Sequence, residues 1–192
     1  MKHGPGTVAN NGGFTIIEMM ITLVVVSVLL SAAVPSLGAM IKNNRLTSQM
    51  NSILTDIHFS RSEAVKRSTT IIMCRSSNPT ATIPSCGGTQ QVWTGGYIIF
   101  ADDGSKTNTT YDAGTDILLR RGQAAPLEVV MHTNTTWDSN LKFSHSGITD
   151  ENGSTAVMSI CDDRGIEYGR RIQVMPSGTP VTSSLTSPSC VL

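Results

Sequence analysis

FTIIEMMITLVVVSVLLSAAV, the stretch from Phe14 to Val34, is an apolar run of 21 residues with one ionisable side chain, Glu18. A helix rises about 1.5 Å per residue, so a helix of this length reaches roughly 30 Å, the thickness of a bilayer's hydrocarbon core. The stretch therefore predicts an N-terminal helix that is long enough to cross a membrane.

Gly12 and Gly13 lie directly before this run. A secretory signal has its small-residue cleavage site after the apolar region, so its apolar part is lost. Cleavage between Gly13 and Phe14 would instead leave the helix on the mature protein. A carboxylate inside a membrane helix is costly and indicates function. We expect Glu18 to meet the Phe14 amino group of a neighbouring subunit in a head-to-tail helical assembly.

GGFTIIEMMITLVVV at residues 12–26, with Pro35 closing the apolar run, resembles the N-terminus of type IV prepilins. In that family a prepilin peptidase removes a leader ending in glycine, the new N-terminal Phe is N-methylated, and the glutamate helps the subunit dock into a filament. The resemblance implies cleavage after Gly13, methylation of Phe14, and assembly roles for Glu18 and Pro35. The implied partners are the prepilin peptidase, other major and minor pilins or pseudopilins, the inner-membrane assembly platform and membrane lipid.

A plain single-span anchor with Glu18 near one interface is the alternative. Lys2 is the only Lys or Arg before the span, while Lys42 and Arg45 follow it, and these charges alone favour an N-terminus outside the cytoplasm. Cysteine usage favours the opposite orientation, because all four cysteines follow the helix and an even count fits disulfides in an exported domain. We therefore expect a cytoplasmic N-terminus and a periplasmic C-terminal domain, anchored in a bacterial inner membrane before filament assembly.

Neighbouring cysteines are the expected disulfide partners, Cys74 with Cys86 and Cys161 with Cys190, although three pairings are open from sequence alone. The first pair would close a polar loop and the second would hold the C-terminal tail. A zinc site built from the four cysteines is disfavoured, because structural zinc ligands come in close CxxC-like pairs and the chain has none.

Composition supports one soluble domain behind the anchor. The chain has 14 Lys and Arg against 14 Asp and Glu, and only Lys2 and Glu18 precede residue 42, which leaves 13 of each sign. No global field therefore attracts nucleic acid or anionic lipid.

The helix is expected to continue past Pro35, with a possible kink, to Arg67 or Ser68. An apolar stripe there would cover a sheet: Leu46, Met50, Ile53, Ile57 and Ala64. The charged residues Lys42, Arg45, Asp56, Arg61, Glu63 and Lys66 are expected to face solvent.

Seven β-rich runs follow, separated by polar turns: TTIIMC, QVWTGGYIIF, TDILLRR, PLEVVMH, LKFS, TAVMSIC and RRIQVM. They predict two packed sheets or one strongly bent sheet. Residues 102–115 and 146–154 are expected to be loops, and the Ser, Thr and Pro-rich stretch 176–188 to be irregular. Trp93, Tyr97, Phe100 and Trp137 are assigned to packing. The predicted organisation is a leader at 1–13, a transmembrane and filament-core helix at 14–34, its amphipathic continuation at 35–68, and a β-rich periplasmic domain with an irregular tail at 69–192.

The body also resembles the FimT and GspH branch of pilin-like proteins. The similar segments are FSRSEAVKRSTTIIMC at 59–74, WTGGYIIFADDG at 93–104, DILLRRG at 116–122, LKFSHSG at 141–147 and SICDDRGIEYGRRIQVMPSG at 159–178. The resemblance implies an α+β fold in which a long N-terminal helix packs on a C-terminal antiparallel β-sandwich. It implies a minor type IV pilin of the FimT kind; a GspH-like minor pseudopilin of type II secretion and a major pilin are the alternatives.

Some FimT proteins bind DNA in natural transformation through C-terminal arginines in a GRxR motif. This chain offers Arg164, Arg170 and Arg171, but Gly169 is followed by RRI, and no Lys or Arg follows Gly178. Three arginines flanked by Asp162, Asp163 and Glu167 make a weak phosphate-binding footprint, and pairing with these carboxylates is the alternative.

Catalysis is not expected. Ser144 and Ser146 flank His145, but no GxSxG elbow is present, and His58, His132 and His145 are scattered along the chain. The loop containing Asp102, Asp103, Asn108 and Asp112 has oxygen ligands suited to calcium, although it lacks EF-hand spacing and an ordinary turn explains it. No metal or other cofactor is therefore expected.

Overall fold

The computed structural model describes residues 13–103, 109–149 and 153–185. Residues 1–41 and 42–192 form two compact units, each described here by itself. Of the predicted regions, the leader up to residue 12, Asn108 and Cys190 lie outside the described residues.

One helix, α1 (Ile16–Arg67, 52 residues), carries both the apolar run and its amphipathic continuation. In the second unit the predicted stripe is confirmed, since Leu46, Ile53, Ile57 and Ala64 are fully buried and Met50 packs against them. The helix ends where it was predicted to end. Lys66 and Arg67 lie in its last turn, where cations complement the helix dipole.

Within the described residues, eight strands follow in two four-stranded antiparallel sheets. Sheet A has the order β3-β2-β1-β5 and sheet B the order β4-β6-β7-β8. The strands are β1 (Thr70–Arg75), β2 (Tyr97–Asp102), β3 (Ile117–Gly122), β4 (Val130–Thr133), β5 (Asn140–Phe143), β6 (Ala156–Cys161), β7 (Arg170–Val174) and β8 (Pro180–Ser184). This long helix followed by antiparallel sheets confirms the predicted α+β class.

The prediction of an irregular segment over residues 176–188 is wrong at β8. Pro180 pairs with Val174 and Ser184 with Arg170, so the segment forms the edge strand of sheet B. Its side chains are mostly exposed, which removes the apolar alternation that signals a strand. Proline is accepted because it is the first residue of an edge strand, where its missing N–H costs little.

One hydrophobic core joins the second half of α1 to both sheets. Trp93, Tyr97 and Trp137 are buried in it, as predicted, and Phe100 is buried on the other face of sheet A. Sheet A contributes Ile71, Met73, Ile99, Ala101, Leu141 and Phe143, and sheet B contributes Met131, Ala156, Met158, Ile160, Ile172 and Val174. The alternation of these residues along their strands places one face of each sheet on the core.

The other face of sheet A has a smaller core made of Ile72, Cys74, Ile98 and Phe100. The predicted Cys74–Cys86 disulfide is present there, and Cys86 packs against this cluster. Cys161 is disulfide-bonded too. Its pairing with Cys190 stays a prediction, because Cys190 lies outside the described residues.

The expectation of a fully solvated charged face on α1 is wrong for Asp56 and Glu63, which are only 7% and 8% exposed. The Tyr97 hydroxyl donates to Asp56 Oδ2 at 2.7 Å, and Arg120 pairs with Asp56 Oδ1 at 2.6 Å. Burial, with Asp56 adding to it, raises the pKa of Tyr97 far above its usual range. Asp56 therefore fixes the helix to sheet A.

Candidate filament-assembly site

The start of α1 has a side-chain cap. The Glu18 backbone N–H donates to Thr15 Oγ1 at 3.2 Å, and the Met19 N–H donates to the Thr15 carbonyl oxygen at 3.2 Å. Thr15 thus satisfies amide groups that the first helical turn leaves without partners. Glu18 lies in this first turn, where the helix dipole favours negative charge.

The sequence by itself carries a signal for this cap. Thr15 and Glu18 form the T-x-x-E pattern of a capping box directly before an apolar run. The four residues 15–18 therefore fix both the start of the helix and the position of Glu18 in its first turn.

The first unit presents its apolar side chains outward. Phe14 is 75% exposed, Ile16 79% and Leu23 68%, and the rest of the run to Val34 is exposed as well. α1 contains an 18-residue stretch that has a mean hydropathy of 2.4 and is fully exposed. By length and composition, the helix could therefore cross a membrane. An apolar surface of this extent needs either lipid or another protein to cover it.

The hydroxyl groups in the run are satisfied within the helix. Thr22, Ser27 and Ser31 donate to the carbonyl oxygens of Met19, Val24 and Val28, at 2.9, 2.8 and 2.7 Å. Such local bonds remove the cost of placing a hydroxyl in an apolar medium. Glu18 is the one ionisable side chain between residues 14 and 34.

An ion-pair network lies where the second unit begins, at Lys42 of α1. Lys42 donates to both carboxylate oxygens of Asp163, at 2.7 and 2.6 Å, and lies 3.7 Å from Glu128, as does Arg45. Hydrogen bonding to Lys42 lowers the pKa of the Asp163 carboxyl, and the same bond raises the pKa of Lys42. These residues connect the helix to the segments before β4 and after β6.

The three arginines considered as candidate DNA-binding residues have different surroundings. Arg164 pairs with Asp162 at 2.6 Å and stacks on the Tyr168 ring at 4.3 Å, and its hydrogen bond to Asp162 raises its pKa. Arg170 donates to the carbonyl oxygens of Tyr168 and Gly169, at 3.1 and 3.4 Å. Arg171 instead lines a pocket on sheet B.

The serine candidates and Asp112 of the calcium candidates form local hydrogen bonds. Ser144 and Ser146 share a hydrogen bond of 2.8 Å, and Ser144 also donates to the Ile148 carbonyl. In the loop after β2, Asp116 accepts the Asp112 N–H at 2.8 Å, and Asp112 accepts the Gly114 N–H at 2.9 Å. Within the described ranges, no group of three or more His, Cys, Asp or Glu side chains could hold a metal ion.

Residues 49–178 match the family described as type II transport protein GspH. The chain belongs to the GspH family. Residues 8–34 of this GspH-family chain match the prokaryotic N-terminal methylation motif, which covers the Thr15 cap and Glu18. Together these matches support processing by a prepilin peptidase and a role as a pilin or pseudopilin.

Two crystal structures of the type IV minor pilin FimU from Pseudomonas aeruginosa resemble the fold of this GspH-family chain. The first has a TM-score of 0.54 at 17% identity, and the match covers 78% of this chain and 94% of FimU. The second crystal form has a TM-score of 0.51 at 17% identity and covers 72% and 92%. No curated protein matches the sequence at a significant level. The FimU likeness shows a shared pilin fold.

Proposed function

We propose that the chain is a minor type IV pilin of the FimT kind, cleaved after Gly13, N-methylated on Phe14 and incorporated into a helical filament. In this proposal it has no catalytic activity. The membrane stores the subunit through its apolar helix, and the same helix later packs in the filament core.

This proposal is carried by the exposed apolar segment at residues 14–34, whose single ionisable side chain is Glu18. Lipid could cover the apolar side chains, but it offers no strong partner for a carboxylate. A neighbouring subunit in a filament supplies both apolar cover and an N-terminal amine. Head-to-tail repetition gives every subunit but the terminal one the same pair of contacts.

The Cys74–Cys86 disulfide supports a periplasmic second unit, because disulfides persist in oxidising compartments. In this proposal α1 crosses the inner membrane and the N-terminus lies in the cytoplasm, where a prepilin peptidase would meet residues 12–14. The assembly platform and other pilins are the proposed partners, together with membrane lipid before extraction.

A minor pseudopilin of type II secretion is the second candidate. The description of the matching family, type II transport protein GspH, favours it. Both roles use the same processing, helix and fold. DNA binding is not proposed, since Arg164 is paired with Asp162 and Arg170 with backbone carbonyls.

Intact-mass measurement and N-terminal sequencing of the protein from its own cells test the pathway. We expect a chain that begins at N-methylated Phe14. A chain beginning at Met1 in cells with an active prepilin peptidase would contradict the proposal and indicate a plain membrane anchor.

Deletion of the chain's gene then separates the two roles. A FimT-like pilin predicts fewer surface pili with unchanged secretion, measured by shearing pili and by assaying exported proteins in the medium. Loss of secretion with normal piliation would instead assign the chain to the pseudopilus. Re-expression of the intact chain in the deletion strain is the control.

A further inference from the structure

The uncharged part of α1 ends where the second unit begins. Residues 19–41 include no Asp, Glu, Lys, Arg or His, and Lys42 is the first charged residue after Glu18. Met40 and Ile41, directly before Lys42, are apolar and exposed. At about 1.5 Å per residue this uncharged stretch is roughly 35 Å long, slightly more than the hydrocarbon core of a bilayer. A helix that crosses a membrane with this stretch therefore has Lys42 at the level of the headgroups.

Leu127 is the most exposed large apolar side chain of the described residues, at 87%, compared with 79% for Ile16 in the apolar run. It belongs to a turn in which the Val129 N–H donates to the Pro126 carbonyl oxygen at 3.0 Å. Val129 is buried, and Ala125 packs against the main core. The residues on both sides of Leu127 are therefore anchored, and the turn between them directs this side chain into solvent.

Glu128, the next residue of this turn, connects it to the start of the second unit. Its φ angle is 71°, a left-handed conformation that is costly for a residue with a side chain. Its carboxylate lies 3.7 Å from the side-chain nitrogens of Lys42 and Arg45. The turn thus holds Leu127 one residue away from the contact with Lys42, the residue that ends the uncharged stretch.

A second segment that contacts Lys42 also exposes apolar side chains. Asp163 accepts two hydrogen bonds from Lys42, and the short helical turn that follows it exposes Ile166 and Tyr168, at 38% and 43%. The Arg164 guanidinium stacks on the Tyr168 ring at 4.3 Å. Aromatic side chains with a polar end, and cations beside them, are typical of the boundary between membrane and water.

We propose that Leu127 inserts into the bilayer that α1 crosses, at the boundary between headgroups and acyl chains, so that the second unit rests on the membrane before assembly. This inference rests on the proposed function in one respect, the membrane crossing of α1. Lipid is favoured over a protein partner because the uncharged helix brings lipid to Lys42 before any other subunit is present.

The charges at this surface are already paired. Lys42 contacts both Asp163 and Glu128, and Arg45 contacts Glu128. The contact is therefore driven by apolar burial and needs no anionic lipid. Phosphatidylcholine, which has no net charge, is a sufficient membrane for the test.

The test uses the full-length protein, one copy per phosphatidylcholine nanodisc, with carbon-13 methyl groups on Leu and Val. NMR line broadening is measured with a nitroxide on the upper acyl chain and, separately, with a soluble gadolinium chelate. Leu127→Ala assigns the Leu127 signal. Val65 is the matched control, because it is 53% exposed but lies roughly 35 Å further along α1 than Lys42.

We expect the Leu127 methyl groups to be broadened by the lipid nitroxide and protected from the chelate. The ratio of the two effects should be at least about fivefold larger for Leu127 than for Val65, since interfacial apolar groups are buried about 5–10 Å into the boundary region. Equal ratios would overturn the insertion. Protection of Leu127 only in nanodiscs that hold two copies would overturn it in favour of contact between subunits.

Leu29, in the middle of the apolar run, separates this inference from its premise. Broadening of Leu29 by the lipid nitroxide, with Leu127 behaving like Val65, would overturn the insertion and leave the membrane crossing in place. Absence of broadening at both Leu29 and Leu127 would overturn the membrane crossing as well.

Two variants distinguish insertion of Leu127 from mere proximity imposed by the helix. The readout is broadening of the Val129 backbone amide by the lipid nitroxide. Leu127→Gln should reduce it at least about threefold, since full burial of a leucine side chain shifts an equilibrium about tenfold or more. Val65→Gln should change it less than about 1.5-fold, and both variants should fold because surface substitutions disturb stability little. Unchanged broadening in Leu127→Gln would show that the helix alone brings the second unit to the membrane and would overturn the role of Leu127.

Discussion

Glu18 has its position in the first turn of α1 set by local hydrogen bonding. Thr15 caps the first turn, so the helix begins in a defined register and Glu18 lies one turn from the start. The nearby hydroxyls of Thr22, Ser27 and Ser31 are satisfied within the helix. In the proposed filament, the Glu18 carboxylate gains a charged partner that lipid does not offer.

Replacing Glu18 with Ala should leave membrane insertion intact, because it removes a group that is costly in lipid. Incorporation into filaments should fall at least about tenfold, the effect of losing a charge-assisted hydrogen bond. Immunoblots of sheared filaments and of membranes measure both quantities. Glu167→Ala, at an exposed position, is the matched control. Normal incorporation of Glu18→Ala would remove the assembly role.

Asp56 is the second residue whose substitution should have a clear effect, here on the free energy of unfolding. Asp56→Ala should lower the free energy of unfolding by about 1–3 kcal/mol, since it leaves the buried Tyr97 hydroxyl without its acceptor. Asp56→Asn, which keeps an acceptor oxygen, should lose less. Urea unfolding of the full-length protein, followed by fluorescence of the buried Trp93 and Trp137, measures these values.

A double-mutant cycle that combines Asp56→Ala with Tyr97→Phe measures the coupling free energy between these two residues. If the two residues act through their hydrogen bond, the loss in the double variant will be smaller than the sum of the single losses. Additive losses would mean that Asp56 stabilises the fold through Arg120 instead.

At the scale of elements, α1 is one helix with two environments. Its first part has exposed apolar residues all around, whereas its second part buries a stripe under two sheets. Sheet A is covered on both faces, by the main core and by a small cluster that includes Cys74. The loop from β1 to β2 thus depends on a covalent link as well as on packing.

Removing the Cys74–Cys86 disulfide with paired Ala substitutions should lower the free energy of unfolding by about 2–3 kcal/mol. The link closes a short loop, with a sequence separation of 12 residues, and constrains the unfolded chain. Urea unfolding measures the change. Thr82→Ala, at an exposed position in the same loop, should stay within about 0.5 kcal/mol of the parent protein. An unchanged double variant would mean that packing alone holds this loop.

At the scale of the whole molecule, the proposed assembly pathway depends on cleavage of the N-terminal segment after Gly13. A side chain added at Gly13 would meet no atom within 4 Å, so a larger residue there leaves the described chain undisturbed. A defect in a Gly13 variant would therefore reflect recognition by the peptidase.

Gly13→Val should block processing and leave a longer chain in the membrane, visible by gel mobility and by intact mass. Gly38→Ala is the control, because Gly38 also has open space around it but lies within α1, away from the cleavage site. A normally shortened Gly13→Val protein would show that cleavage does not occur at this glycine.

The sequence by itself determined the features that depend on neighbours along the chain. The length of the apolar run, the three-and-four spacing of Met50, Ile53 and Ile57, and most strands were readable, because helix and strand periodicities are local. Pairing of Cys74 with Cys86 was the expectation for neighbouring cysteines, but the sequence left three pairings open and the structure decided this one.

Only the tertiary structure decided which distant residues meet. Strand β8 forms because β7 supplies its hydrogen bonds, and Asp56 is buried because Tyr97 and Arg120 reach it from another element. Arg171 acquires its pocket from Ser159 and His132 on two neighbouring strands. Such pairings depend on register between segments that are far apart in the chain, and local periodicity carries no information about that register.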